Sequence, residues 1–342
     1  MRAKELLDTL RKFERALIVA HDNPDPDAIG AGWALCSLIN KHLSIPTRLV
    51  SGGIIVRAEN LKMVELLGPP LELLSELDVQ PNEAIVLVDT NPSLTNHLVH
   101  GSGHTVTAVI DHHSTEASFR VSYRDIREQL SSSSAIVSSY YWELSETPEA
   151  KLATALFYGI RTDMEGRTKF GRIDQKALSW CTQYANLDVF RQIVSAPRSS
   201  AYYEDVVFAL QNTFVYEKTA ICFLPTASGP EIVGEIADML IRAEAIDSLM
   251  CSAVLGESVV VSTRTTTAGG NSLELTRKAL SGLGYVGGHE RRSGARIALE
   301  HATEKLTESL QHDLRQRWLD ACKVSATRGK RLVAKRAILE NL

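Results

Sequence analysis

The first half of the chain contains four short apolar runs rich in β-branched residues, at 16–20, 47–50, 84–88 and 105–110. These runs are nearly continuous rather than alternating, which is typical of strands buried on both faces. Helix-like segments separate or follow them, at Ala28–Asn40, Ala58–Leu67, Ser134–Leu144 and Pro148–Thr162. This succession of strands and helices predicts an α/β domain built on a parallel sheet.

The alternation of strand-like and helix-like segments becomes less regular near Pro197. A second unit follows, with strand-like runs at 219–224, 252–256 and 258–264. Helix-like segments in this unit lie at Ile236–Ala245 and Ser272–Leu280. From Thr303 onward the polar, amphipathic pattern predicts one long helix. We therefore predict four parts: a parallel-sheet domain at 1–190, a linker at 191–212, a smaller α/β domain at 213–302 and a helical extension at 303–342.

Composition is ordinary for a globular protein, with 44% apolar and 23% charged residues, and 342 residues suffice for two cores. A net charge of −4 produces no field that would by itself attract nucleic acid. The five cysteines are scattered and form no C-x-x-C pair, which argues against disulfides and a thiolate zinc site. No apolar run reaches the roughly 18 residues of a membrane span. We expect a cytoplasmic protein without membrane contact.

Acidic and histidine side chains follow three of the four apolar runs. The first run leads into His21, the third into Asp89 and the fourth into Asp111–His113, while Asp163 ends a helix-like segment. Because the carboxyl ends of parallel strands meet at one edge of a sheet, we expect these side chains to surround one crevice. Each residue also has an ordinary explanation: Asp89 suits a turn, and Asp25 before a proline suits a helix N-cap.

The stretch from 18 to 32, IVAHDNPDPDAIGAG, adds Asp25 and Asp27 to this set and raises the question of what holds so many acids together. Carboxylates with imidazoles and without thiolates suit Mn²⁺ or Mg²⁺. The set exceeds the needs of one ion, and two ions roughly 3.5–4 Å apart, bridged by one carboxylate, would use all of it. Such a pair neutralises the acids and activates a water molecule.

Four segments, HDNPDPDAIGA, VDT, DHH and GIRTD, stand in the order and spacing of the four motifs of the DHH phosphoesterase superfamily. The later segment GYVGGHERRSG, preceded by VVVSTRTT, looks like the Gly-Gly-His motif of a DHHA1 domain. Over roughly residues 10–300 the chain thus resembles the DHH–DHHA1 proteins of the nanoRNase and pAp-phosphatase type. The resemblance implies a DHH domain, a DHHA1 domain and an active site in the cleft between them.

Residue by residue, the resemblance implies ligands for two Mn²⁺ ions, with Mg²⁺ as the alternative. His21 and Asp25 would hold one ion, Asp89 would bridge, and the second ion would be held by Asp27, His112 and Asp163. Two further residues would be catalytic: His113 as polariser or proton donor, and Asp111 as the residue that orients the imidazoles. The substrate-binding residues would be Arg264, Gly287, Gly288, His289 and Arg292. Here the sequence departs from the family, which usually has small residues where this chain has Arg292, so that residue either adds a cation or narrows the pocket.

The function expected is a manganese-dependent phosphoesterase acting on nanoRNA, pAp, or linear or cyclic dinucleotides. The alternatives are a pyrophosphatase or polyphosphatase of the same superfamily, and a catalytically inactive nucleotide-binding member. The tail has three interpretations, a solvated helix face, a homodimer contact and an RNA-guiding patch, and its basic residues are Lys323, Arg328, Lys330, Arg331, Lys335 and Arg336.

Overall fold

The structure is a computed structural model that describes residues 1–113, 118–164, 170–224, 227–299 and 306–333. The chain divides into two compact units, Met1–Ala196 and Pro197–Leu342. The predicted α/β class is confirmed, because the first unit is built on a parallel sheet and the second contains its own sheet and helices. Among the helices of the described ranges, none is long and apolar enough to cross a membrane.

The first unit alternates strands and helices along most of its length. Its strands are β1 Arg15–Val19, β2 Thr47–Ser51, β3 Leu71–Leu73, β4 Glu83–Val88, β5 Ala108–Asp111 and β6 Tyr123–Ile126. Its helices are α1 Arg2–Leu10, α2 Pro26–Leu43, α3 Ala58–Leu67, α4 Ser133–Leu144, α5 Ala150–Met164, α6 Arg172–Tyr184 and α7 Leu187–Val194.

All neighbouring strands of the first unit run parallel, in the order β3-β2-β1-β4-β5-β6. From β1 the chain proceeds outward to β2 and β3, and from β4 it proceeds outward in the other direction. The order therefore reverses between β1 and β4, and the carboxyl ends of strands at such a reversal form a crevice where ligands bind in open α/β sheets.

Strand β1 shows why the apolar runs are continuous. Ala16 and Ile18 belong to a large core that also contains buried residues of the helices, whereas Leu17 and Val19 belong to a smaller core on the opposite face. Loop residues such as Leu98 close this smaller core. Since both faces are covered over residues 16–19, each residue of this part of the strand must be apolar.

The second unit begins with a helix and continues with a mixed sheet. Its helices are α8 Ser200–Asn212, α9 Pro230–Leu240, α10 Ser272–Ala279 and α11 Glu308–Ala321. Its strands are β7 Thr213–Tyr216, β8 Thr219–Phe223, β9 Ser248–Leu255, β10 Ser258–Thr265, β11 Tyr285–Gly288, β12 Arg292–Ala298 and β13 Lys330–Arg331. They lie in the order β11-β12-β10-β9-β8-β7-β13, antiparallel except for the parallel pair β8–β9.

The end of the chain differs from the single long helix expected from Thr303. Helix α11 stops at Ala321, and Lys330 and Arg331 form β13 beside β7. Trp318 of α11 is completely buried in a core of the second unit. The described part of the tail is therefore integral to this unit, because its apolar residues pack inward rather than along an exposed helix. Of the basic tail residues, Lys335 and Arg336 lie outside the described residues.

Candidate active site

The structure brings together the eight residues that the sequence singles out in the first unit. His21 follows β1, Asp89 follows β4, and Asp111 is the last residue of β5. Residues 112 and 113 come next, Asp25 and Asp27 lie at the start of α2, and Asp163 lies in the last turn of α5. His21 and Asp89 flank the reversal of strand order between β1 and β4. His21 and Asp89 therefore line the crevice that is expected at the carboxyl ends of these two strands.

One cluster consists of His21, Asp25 and Asp89, whose candidate ligand atoms lie within 4.8 Å of one another. The Nε2 atom of His21 is 3.8 Å from Oδ1 of Asp25 and 3.5 Å from Oδ2 of Asp89. Nδ1 of the same ring is 3.0 Å from the backbone oxygen of Asp22. Because a carbonyl oxygen only accepts, Nδ1 carries a proton, which leaves Nε2 as the atom that could ligate an ion. Burial disfavours the charged form of the ring, but the hydrogen bonds and charges of Asp25 and Asp89 raise the pKa of His21 well above its usual value.

A second cluster consists of Asp27, Asp89 and His112, all buried. The Nε2 atom of His112 lies 3.2 Å from Oδ1 of Asp89 and 3.9 Å from Oδ2 of Asp27. Oδ2 of Asp163 is 3.3 Å from the same nitrogen. Asp89 therefore belongs to both clusters and directs one oxygen toward each imidazole, which is the arrangement expected of a bridging carboxylate.

The backbone of Asp89 adopts the left-handed conformation, with φ of 57°. This conformation is uncommon for a residue with a side chain, and such residues concentrate at functional sites. Its backbone N–H donates to the carbonyl oxygen of Ile110 at 3.0 Å. The neighbouring strand thus helps to hold the residue in place.

Asp111 acts through its contacts with the segment that follows it. Its Oδ1 accepts from the backbone N–H groups of His112 and His113, at 2.7 and 3.2 Å, and lies 2.8 Å from Nδ1 of His113. Its Oδ2 accepts from the side-chain amide of Asn91 at 2.7 Å. The carboxylate therefore fixes the backbone after β5 and the ring of His113. Asn91, which the sequence analysis missed, in turn fixes the carboxylate.

Electrostatics explain why this cluster favours cations. Burial, followed by repulsion from Asp89 and Asp25, raises the pKa of Asp27 well above its usual value. Burial, followed by repulsion from His113, lowers the pKa of His112, so that this ring stays neutral, as a metal ligand must be. Bound cations would offset the repulsion among the carboxylates. The donor set, carboxylates and imidazoles without thiolates, therefore fits Mn²⁺ or Mg²⁺.

His113 has a different electrostatic environment. Burial disfavours its charged form, but the Asp111 carboxylate, through its charge and its hydrogen bond, raises the pKa of His113 to about 9. In the protein without ions this ring is therefore an imidazolium at neutral pH.

The ordinary interpretation of Asp25 is also correct. It is the N-cap of α2, and its Oδ1 accepts from the backbone N–H groups of Asp27 and Ala28, at 2.9 and 3.0 Å, just before Pro26 begins the helix. Asp25 thus immediately precedes α2 and Asp27 lies in its first turn, at the edge of the sheet where β1 ends. One residue thus has both a structural contact and a place in the candidate metal cluster.

The sequence analysis missed the serines at the start of α4. The backbone N–H groups of Ser133 and Ser134 donate to the two carboxylate oxygens of Asp27, at 2.7 and 2.8 Å. The hydroxyl of Ser133 donates to Oδ1 of Asp89 at 2.9 Å. The run of four serines at 131–134 signals a helix start. It does not reveal that this helix start contacts carboxylates more than forty residues away.

In the second unit, Arg264 and Arg292 are opposite each other on the antiparallel strands β10 and β12. Their Nε atoms lie 2.6 and 3.4 Å from the same oxygen of Asp238, a residue of α9 that the sequence analysis did not single out. Arg264 also donates to the backbone oxygens of Thr263, at 2.9 Å, and Gly234, at 3.3 Å. One carboxylate thus contacts two guanidinium groups, and the three side chains together carry a net positive charge.

The predicted glycines lie on β11, beside these arginines in the sheet. Gly288 is opposite Ser293 and has φ of 133°, and a Cβ atom there would lie 2.4 Å from the Cα atom of Ser293. Gly287 has only an ordinary contact, 3.8 Å to the ring of Tyr285. The backbone N–H of His289 donates to the carbonyl oxygen of Arg292 at 2.6 Å. Gly288 is therefore required by the close approach of the two strands.

Part of the chain matches a known protein family. Residues 15–160 match the DHH family, N-terminal domain. An uncharacterized protein from Methanocaldococcus jannaschii is 28% identical over 285 residues, which are 83% of this chain and 58% of that protein. The chain thus spans a little over half the length of this relative.

Solved structures share the fold. An exopolyphosphatase-related protein from Bacteroides fragilis superposes with a TM-score of 0.72 at 14% identity, over 94% of this chain and 96% of that one. RecJ from Thermus thermophilus, in complex with Mn²⁺, gives 0.54 at 14% identity, over 95% of this chain and 55% of RecJ. The stretch that matches the DHH family, residues 15–160, contains every residue of the candidate site except Asp163. The family match ends before the second unit, whose DHHA1 assignment stays a prediction.

Proposed function

We propose that the protein is a phosphoesterase that uses two Mn²⁺ ions to hydrolyse short nucleotides: nanoRNA, pAp, or linear or cyclic dinucleotides. The observation that carries the proposal is the position of Asp89. Its buried carboxylate directs Oδ2 toward His21 and Oδ1 toward His112, so that two clusters share one residue. A shared carboxylate between two ligand groups is characteristic of two-metal hydrolytic sites.

The choice of ion is supported by chemistry and by one relative. Carboxylate and imidazole ligands suit Mn²⁺, and the RecJ structure with a similar fold was determined with Mn²⁺. Mg²⁺ remains the alternative ion. When bound, the ions supply an activated water molecule and neutralise charge on the phosphate under attack.

The roles of the chain's own residues follow from their contacts. His21, Asp25 and Asp89 would hold one ion, and Asp27, Asp89, His112 and Asp163 would hold the other. The Nδ1–H of His113 donates to the Asp111 carboxylate, 2.8 Å away. Its Nε2 is therefore the atom available to a phosphate oxygen or a leaving group. Asp111 keeps that ring in position.

Substrate recognition is assigned to the second unit. Arg264 and Arg292, which both contact Asp238, carry one more positive charge than this carboxylate neutralises. Guanidinium groups bind phosphate oxygens through paired hydrogen bonds. We therefore assign to these arginines, with His289 and the backbone of Gly287 and Gly288, the recognition of a second phosphate or the terminal nucleotide. Arg292 adds a cation to this group.

A panel of substrates tests the proposal. The purified protein with Mn²⁺ would be assayed on pAp, pApA, short RNA, cyclic di-AMP, cyclic di-GMP, inorganic pyrophosphate and polyphosphate, and kcat/KM would be compared. We expect the highest values on the nucleotides. A preference for pyrophosphate or polyphosphate would favour the alternative activity. Nucleotide binding without release of phosphate from any substrate would instead indicate an inactive binding member.

A further inference from the structure

Helix α4 begins against the candidate metal site. Its N-cap is Ser132, whose hydroxyl accepts from the backbone N–H of Ala135 at 3.0 Å. The next two backbone N–H groups, of Ser133 and Ser134, are the ones that donate to Asp27. The first turn of α4 therefore holds the Asp27 carboxylate, whose negative charge is favoured at a helix N-terminus.

The hydroxyl of Ser133 makes a different contact. It donates at 2.9 Å to Oδ1 of Asp89, the oxygen that lies 3.2 Å from Nε2 of His112. A carboxylate rotates readily about its last side-chain bond, so one fixed oxygen determines where the other one points. With Oδ1 held by Ser133, Oδ2 faces His21 at 3.5 Å.

Ser133 is itself held in place by its neighbours. The backbone N–H and the hydroxyl of Ser131 donate to Oδ1 of Asp174, at 2.8 and 2.9 Å. The other oxygen of Asp174 accepts from the backbone N–H of Gly171 at 3.0 Å. Ser131 and Asp174 are buried, so the start of α4 is anchored to α6 by bonds that water does not compete for.

We propose that Ser133 is a positioning residue for the bridging carboxylate: its hydroxyl sets the rotation of Asp89, so that one oxygen is presented to each ion. This inference rests on the two-metal function proposed above. A role confined to helix packing would resemble that of Ser138, whose hydroxyl donates to the backbone oxygen of Ser134 at 2.7 Å and lies 3.6 Å from Sγ of Cys181. Ser133 instead donates to a carboxylate of the candidate site.

Substitution of Ser133 by alanine tests the inference while leaving the backbone N–H groups of α4 unchanged. We expect Ser133→Ala to lower kcat, and the affinity for Mn²⁺ measured by calorimetry, by about 10- to 100-fold, the usual effect of removing a partner of a metal ligand. KM should change little, because the hydroxyl proton is already donated to Asp89. Ser133→Thr, which retains a hydroxyl, should recover most of the loss.

Ser138→Ala is the matched control, since it removes the same atom from a buried serine of the same helix. It should leave kcat and Mn²⁺ affinity at the parent values. The inference is overturned by parent-like Mn²⁺ affinity in Ser133→Ala, or by equal losses in the two alanine variants that follow their thermal stability. If the parent protein hydrolyses none of the substrates, the proposed function fails, but the difference in Mn²⁺ affinity between parent and Ser133→Ala still decides the role of Ser133.

Discussion

The first unit concentrates carboxylates at the edge of its sheet, whereas the second unit concentrates guanidinium groups on one strand pair. In the first unit the donors at the start of α4 that support Asp27 and Asp89 are neutral, namely backbone N–H groups and a serine hydroxyl. In the second unit the carboxylate of Asp238 faces both Arg264 and Arg292. Neutral donors do not cancel the negative charge of a carboxylate, and one carboxylate cancels the positive charge of only one of two arginines.

This difference in charge is the physical basis of our assignments. Buried charge is stable only when it is compensated, so a cluster rich in carboxylates favours cations and a pair of guanidinium groups favours an anion. We therefore assign cations to the first unit and an anionic part of the substrate to the second. Four experiments test this comparison.

The largest effect is expected from Asp89, because both clusters share it. Asp89→Ala should lower kcat with Mn²⁺ by about a thousandfold or more, about 4 kcal/mol in the activation free energy, since each ion loses a ligand. Steady-state kinetics on the best substrate would measure it. Asp22→Asn, which changes an acid of the same segment outside both clusters, is the control and should stay near the parent rate. Retention of a few per cent of the parent activity in Asp89→Ala would refute the bridging role.

Arg264 should separate substrate binding from metal binding. Arg264→Ala should lower kcat/KM by about 10- to 150-fold, because a hydrogen bond from a charged group contributes about 1.5–3 kcal/mol. Calorimetric titration should give an unchanged Mn²⁺ stoichiometry. A variant that lost an ion would move Arg264 from the anion site to the metal site. Thermal unfolding would check that the bonds from Arg264 to Thr263 and Gly234 are not essential to the fold.

Substitutions of Gly287 and Gly288 separate a role in fold stability from a role in substrate recognition. Gly288→Ala should lower the free energy of unfolding by about 1–3 kcal/mol, since the new Cβ would meet Ser293 and the backbone conformation is unfavourable for alanine. Gly287→Ala should change it by less than about 0.5 kcal/mol, because that site has room. Chemical denaturation measures both. Equal stability of the two variants would contradict the close approach at Gly288. A loss of kcat/KM in Gly287→Ala without a loss of stability would support backbone contact with the anion.

The smallest effect concerns substrate length. We expect kcat/KM to fall at least about tenfold, about 1.4 kcal/mol, between a dinucleotide or trinucleotide and an RNA of about 24 nucleotides. The physical reason is charge: a long strand needs a continuous basic groove, and the chain has a net charge of −4. Gel analysis of time courses would detect processive digestion. Equal efficiency on the long RNA would favour an exonuclease and a guiding role for the basic tail.

Much of the secondary structure is readable from local pattern. Helix α3 has the predicted bounds, and β1 and β4 lie within one residue of the apolar runs at 16–20 and 84–88. The two strands are predicted correctly because burial on both faces of a sheet requires an unbroken apolar run. Strand β6, Tyr123–Ile126, was missed because it is short and polar in part, and its place at the end of the sheet explains why this sequence is tolerated.

The sequence by itself predicted the residues that the candidate site brings together, because Asp and His directly after buried strands reach the same edge of any parallel sheet. It could not determine the strand order, which brings His21 and Asp89 to the two sides of the reversal between β1 and β4. Nor could it show that Ser133 contacts Asp89, or that Asp238 faces two arginines. These contacts join residues far apart along the chain. Only the packing of helices α4 and α9 brings them within hydrogen-bonding distance, so the supporting partners of both sites were decided by the tertiary structure.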